Sequence, residues 1–266
     1  MSNNSTRPVR AVLLAVLLGS LVFCRSGSAV RPPERIDAAV LISANAEWNV
    51  VTSLFPRASI ETSPLGEHFV LELPMRNGAK VPVLVFHGGW GKVAAAASTQ
   101  YVIDRWAPAL LINLGTCGGF QGSVRVFDIV LVTRTVIYDI VERMGNPAEA
   151  IADYSTDLDL SWLKGEDPAS ITRGVLVSAD QDLDPAAIDR LKKDYGAVAA
   201  DWESGAIAWT ARRSGKKVLI LRGVTDVVGP KGSEAYGNLG LFQTRSRDVM
   251  KTLFDGLADW LARALS

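Results

Sequence analysis

The chain has 266 residues, a length that one α/β domain fills without requiring a second. Lysine plus arginine equal aspartate plus glutamate at 28 each, so the basic field of a sequence-independent nucleic-acid binder is absent, and a small, roughly neutral or zwitterionic ligand fits better. The only histidines, His68 and His87, lack a zinc-ligand spacing and leave a Ser/His/Asp triad little to draw on, while Cys24 and Cys117 leave no intrachain disulfide once a leader is removed.

At the N-terminus, Arg7 and Arg10 precede an apolar run over 11–23 that is short for a membrane span, and Ser26, Gly27, Ser28 and Ala29 follow it. This is a signal-peptide pattern with cleavage expected after Ala29. The expectation is an exported protein, periplasmic or extracellular, whose only membrane contact would be the leader 1–29 if it stayed uncleaved. The folded domain is assigned to 36–266.

Along that domain, strand-like runs at 38–43, 68–73, 81–87, 109–114, 129–136, 174–178 and 217–222 alternate with helical stretches at 92–105, 185–193, 203–214 and 241–264. The alternation predicts an α/β sheet with helices on both faces. Gly88, Gly89 and Gly91 are read as ending one strand, and Gly115, Gly118 and Gly119 as ending another. The last helix carries Val249, Met250, Leu253, Phe254, Leu257, Trp260 and Leu261 at three- and four-residue spacing, one apolar stripe against a core. The stretch 146–167, rich in Asp, Pro and Gly, reads as a surface excursion.

The run GGWGK (88–92) leaves a strand and opens a helix, a setting in which backbone amides meet an anion or polar ligand, although it matches neither GxxxxGK[ST] nor GxGxxG. In GTCGGF (115–120), Cys117 reads as a small buried filler, with no histidine near enough in sequence to activate it. Three acids from separate segments are more informative. Glu47 follows the first strand, Glu203 lies in DWESGA, and Asp226 lies in RGVTDVVG. Each alone reads as a helix N-terminal acid or a turn aspartate; together they fall at strand ends on one face of a sheet, where ligands of open α/β folds bind. Carboxylates so grouped suit glycosidic-bond chemistry, which needs an acid for the leaving group and negative charge around a cationic sugar.

From residue 38 onward the chain resembles the nucleoside phosphorylase and nucleosidase superfamily, most closely the 5′-methylthioadenosine/S-adenosylhomocysteine nucleosidases. The resemblance rests on GGWGKVAAAASTQYVIDRWAPALLINLGTCGG (88–119), VFDIVLV (126–132), VSADQDL (177–183), DWESGAIA (201–208) and RGVTDVVG (222–229). It implies a three-layer α/β/α sandwich with a central mixed, partly barrel-like sheet, a homodimer, a small-molecule nucleoside substrate and no metal or organic cofactor. Carried over by motif, Asp226 would protonate the purine at N7, Glu203 would hold the ribose hydroxyls and stabilise developing charge, and Glu47 would activate water. Trp202 would border the ribose, Leu183 would offer backbone hydrogen bonds to the base, and Tyr236 would pack on the 5′ end. Asp182, Gly88, Gly115 and Thr225 complete the expected substrate-binding set. Two departures stand out: Gly88 replaces the family's serine, and Asp182 occupies the place of an aromatic over the base.

The resemblance implies hydrolysis rather than phosphorolysis, because SANAE follows the first strand where phosphorylases of the superfamily place a GDPxR-like turn, and an acid there repels phosphate. A phosphate-dependent phosphorylase is the alternative. A non-catalytic nucleoside-binding or storage protein is the alternative of another class. Arg125, Arg134 and Arg222 read as ion-pairing or surface residues before they read as an anion site.

Overall fold

The computed structural model describes residues 35–76 and 78–265, so the expected leader lies outside the described residues. The first strand, β1 (Ala38–Ile42), leads into α1 (Asn45–Leu54), and β2 (Glu61–Ser63), β3 (Gly66–Pro74) and β4 (Lys80–His87) form an antiparallel ladder. Helix α2 (Gly91–Trp106) connects to β5 (Leu110–Phe120), followed by β6 (Ile129–Ile137), α3 (Pro147–Asp153), β7 (Ser155–Asp157) and β8 (Ile171–Ser178). A short turn of tighter helix precedes α4 (Ile188–Tyr195), then come β9 (Ala197–Asp201), α5 (Ser204–Arg213), β10 (Lys217–Val228), α6 (Leu239–Asp255) and α7 (Leu257–Leu265).

The strands form one mixed sheet in the order β10-β6-β8-β9-β5-β1-β4-β3-β2, with β7 on β6. Strand β10 also pairs in parallel with β5, from Lys217 opposite Leu110 to Val228 opposite Phe120, which closes β10, β6, β8, β9 and β5 into a five-stranded barrel. Both sheet faces are covered. Along β1, Ala38, Val40 and Ile42 join the core under α1, α6 and α7, where Trp48, Val249, Met250, Leu253, Phe254 and Trp260 pack. The alternate residues Ala39 and Leu41 join a second core under α2 and α5, with Val102, Trp106, Ile207 and Ala211. That period-two partition makes the sheet the middle of three layers, because a strand's successive side chains point to opposite faces.

The structure departs from the sequence expectations where distant segments meet. Strands β5 and β10 run on past 114 and 222, and Gly115, Gly118 and Gly119 lie inside β5 rather than ending it. These glycines serve close approach: a Cβ at Gly119 would sit 2.5 Å from Val124 Cγ2, and one at Gly115 2.0 Å from Arg222 Nη1. Asp226 accordingly lies within β10, just past an irregularity between Val224 and Asp226, not in a turn. Stretch 146–167 is not all excursion, since α3 and β7 form there and β7 adds to β6. The C-terminal helix breaks at Gly256. By contrast, GGWGK is the expected strand-to-helix turn, with Gly89 and Gly91 at φ of 81° and 83°, values that favour glycine.

Candidate active site

Glu47 sits in the first turn of α1 and is buried. Its Oε2 accepts the Ala44 N–H at 3.2 Å, which caps the helix, and its Oε1 accepts both the Thr116 N–H at 2.6 Å and the Thr116 hydroxyl at 2.9 Å. The β1–α1 junction is thereby fastened to β5. Glu203 occupies the N-cap position of α5, with Trp202 between it and the end of β9, and its Oε1 accepts the Gly91 N–H from the GGWGK turn at 3.1 Å. Burial is the main cause that raises its pKa to about 8; Arg222 opposes the shift, while Asp201 and Glu47 reinforce it. Asp226 accepts the Thr225 hydroxyl on Oδ1 at 3.0 Å and the Ser233 hydroxyl on Oδ2.

All three acids line one cavity of about 600 Å³. Asp182, Leu183, Trp202, Thr225 and Tyr236 line it as well, so eight of the ten residues expected at a site converge. The other two do not reach it. Gly115 faces the gap between Arg222 and Glu47, where a Cβ would meet Glu47 Oε1 at 2.9 Å. Gly88 packs against α2, with a Cβ there falling 2.6 Å from Ser98 Oγ, so Ser98 fills the space a side chain at 88 would need. Both glycines act as spacers behind the site and belong to its scaffold.

Among the described residues, five carboxylates line the cavity, Glu47, Asp182, Asp201, Glu203 and Asp226, and the lining contains no lysine, arginine or histidine. The compensating charge lies behind the wall. Arg222 is only 1% exposed, with its guanidinium 2.7 Å from Asp201 Oδ2, 3.6 Å from Glu203 Oε2 and 3.7 Å from Glu47 Oε1. Its Nε donates to Ser204 Oγ at 2.8 Å, Ser204 donates to Asn113 Oδ1 at 2.9 Å, and Asn113 Nδ2 donates to the Leu41 carbonyl at 3.0 Å. Burial works against the charge on Arg222, and Asp201, Glu47 and Glu203 outweigh it, raising the arginine's pKa further. Arg222 is thus an ion-pairing residue, as its sequence context suggested. Its centrality among three acids was not legible, nor was the contribution of Asp201, although Asp201 stands two residues before Glu203 in the same motif.

The remaining walls are aromatic and loop-borne. The indoles of Trp90 and Trp202 lie 5.1 Å apart at 31°, with Trp90 mostly exposed at the mouth. The Tyr236 hydroxyl donates to the Leu183 carbonyl at 2.6 Å, and burial, then nearby Asp226, pushes its pKa up. Lys92 Nζ pairs with Asp139 and, at 3.6 Å, with Asp180 Oδ2, and the Lys92 N–H donates to Asp180 Oδ1 at 2.8 Å. These bonds fasten the GGWGK turn to the segment carrying Asp182 and Leu183. Cys117 is buried, which raises its pKa and keeps it a thiol. His87 stacks on Trp48 at 5.1 Å, and His68 packs between Phe86 and Trp106; burial lowers the pKa of both. Neither histidine lines the cavity, and neither do Arg125 or Arg134, the latter lying 3.6 Å from Asp157.

The chain belongs to the phosphorylase superfamily, whose sequence model matches residues 49–258. It is 30% identical over 186 residues to a 5′-methylthioadenosine/S-adenosylhomocysteine nucleosidase of Maridesulfovibrio salexigens, covering 65% of this chain and 80% of that protein. It is 29% identical over 166 residues to the nucleosidase of the same description from Anoxybacillus flavithermus, covering 58% and 72%. Among solved structures, the Helicobacter pylori nucleosidase with butyl-thio-DADMe-Immucillin-A superposes with a TM-score of 0.67 at 15% identity, over 85% of this chain and 99% of that one. The nucleosidase from S. pneumoniae with a transition-state inhibitor gives 0.66 at 16% identity, over 87% and 100%, and both structures support the fold.

Proposed function

We propose that this protein hydrolyses the N-glycosidic bond of a purine nucleoside of the 5′-methylthioadenosine/S-adenosylhomocysteine type, releasing adenine and the thioribose sugar. Asp226 gives its proton to N7 of the base, and the C1′–N9 electron pair leaves with the base as a neutral species. Glu47 takes a proton from water as the water oxygen bonds to C1′. Glu203 grips the ribose hydroxyls, and the sugar's developing positive charge favours its ionised form against the burial that raises its pKa. Leu183 presents its backbone to the base, Trp202 borders the ribose, and Tyr236 closes over the 5′ end. No metal or organic cofactor enters this scheme.

The observation that carries the reading is the wall of five carboxylates, with no cation in the lining among the described residues. Phosphorolysis requires a phosphate anion at C1′, and these acids repel one in a low-dielectric pocket, whereas water and a cationic sugar suit it. The test is incubation of the purified protein with methylthioadenosine, adenosine, inosine and uridine, with and without phosphate. Free adenine in phosphate-free buffer is the expected result; phosphate dependence would make the protein a phosphorylase, and binding without product would make it a binding protein.

The exported location and the homodimer belong to the same proposal. The leader pattern at 1–29 supports export and, with it, salvage of nucleosides outside the cytoplasm, which cell fractionation checks. The resemblance supports the dimer, which light scattering on the eluting protein checks.

A further inference from the structure

The base side of the cavity holds its acid in an unusual way. Asp226 Oδ1 accepts from its chain neighbour Thr225, and Oδ2 accepts from Ser233, seven residues further on and outside the cavity lining. Ser233 therefore reaches the acid from the loop and is not among the residues that line the cavity. Its own Oγ accepts the Ala235 N–H at 3.0 Å, which aims the hydroxyl proton at Asp226. The loop 229–238 that carries it is fixed on three sides. Gly229 and Gly232 exchange backbone hydrogen bonds at 3.1 and 2.9 Å, and Tyr236 donates to the Leu183 carbonyl. From α6, Arg245 Nη1 donates to the Thr225 carbonyl at 3.0 Å and to Glu234 Oε1 at 2.5 Å.

A carboxyl group turns easily about its last torsion, and a single hydroxyl on one oxygen leaves that rotation open. Holding both oxygens closes it. We propose that Ser233 is the positioning residue of the general acid, locking the carboxyl plane of Asp226 so that its proton points at the leaving base. This rests on the nucleosidase reading above. In the step itself the proton moves from Asp226 to N7 and the C1′–N9 pair goes to the base; Ser233 keeps its own proton throughout.

The experiment is a mutant cycle in the full chain with methylthioadenosine: S233A, S233T, D226N and S233A/D226N, each with a thermal melt. Misplacing a catalytic group by about 1 Å costs about a hundredfold, so S233A is expected to lower kcat by roughly 10- to 100-fold with KM within about 3-fold. S233T, which keeps a hydroxyl, is expected to recover most of that loss. In the D226N background, S233A should change the residual rate by less than about 2-fold, because a residue acting only through Asp226 has nothing left to position. Equal losses in both backgrounds, a loss confined to KM, or a failure of S233T to recover kcat would each overturn the proposal. If S233A does not fold, S233T alone decides: near wild-type kcat supports the assignment and a 10-fold or larger loss overturns it. A wild-type chain that releases no adenine defeats the nucleosidase reading itself, a result distinct from all of these.

Discussion

The two halves of the cavity are built differently. Around Arg222, the acids Glu47, Asp201 and Glu203 are held by helix starts, strand backbone and that one buried guanidinium, which feeds a chain of side chains back to the Leu41 carbonyl. At the other end of the cavity, Asp226 and the Leu183 carbonyl are held by neutral hydroxyls, Thr225 of β10 and Ser233 and Tyr236 of one loop. The first half is electrostatically committed and its geometry is inseparable from folding. The second half is organised by neutral hydroxyl donors that belong to none of the hydrophobic cores. In the proposed mechanism, the charge that must be present before the reaction is placed in the scaffold, while the proton that must leave is placed beside a loop.

The sharpest way to break this contrast is Arg222→Met. It leaves three acids around an uncompensated buried site, and unpairing a buried charge typically costs about 3–5 kcal/mol, so a large fall in the urea midpoint is expected. A midpoint close to wild type would show that the sugar side is not held by that arginine. Asp226→Asn should do the opposite, lowering kcat by ~10² to 10⁴ while leaving the melting temperature nearly unchanged. Near-normal turnover by the purified variant would remove the general acid from the mechanism.

A titration of stability sharpens the same point. The native state keeps a proton on Glu203 between its ordinary value of 4.5 and about 8, where the unfolded chain has released it. The native form binds more protons there, so this group's contribution to stability declines as pH rises through that window. Melting temperatures should fall from pH 5 to about 8 by more in the wild type than in Glu203→Gln; parallel curves would assign the slope to other groups. The smallest effect is expected from Tyr236→Phe, which deletes one hydroxyl bond worth about 1 kcal/mol and should alter KM for methylthioadenosine by less than about 10-fold with kcat little changed. A kcat loss matching that of Asp226→Asn would mean that Tyr236 takes part in the chemistry.

How far the sequence reached follows the same division between local and distant contacts. Strands β1, β4 and β6 lie within a residue of their predicted bounds because their apolar, β-branched runs are sandwiched between helices. Strands β5 and β10 were cut short because glycine reads locally as a break, whereas here Gly115 and Gly119 make room for Arg222 and Val224 of β10 across a closed barrel. The three acids were singled out by their place at strand ends, and Trp202, Leu183 and Tyr236 by motif resemblance. Gly88 and Gly115 were misplaced at the cavity because a motif fixes sequence position, not the direction in which a residue faces. Ser233 carried no signal at all: in GPKGSEAYGN it is one more turn residue until the loop's path lays it against Asp226.

The paired indoles at the mouth give the molecule a built-in optical reporter. Trp90 and Trp202 are close enough for their electronic transitions to couple, so circular dichroism should carry a signed exciton band that either Trp90→Phe or Trp202→Phe abolishes. A nucleoside seated against Trp202 would perturb that band and quench emission, making occupancy observable without labels and before any bond is broken.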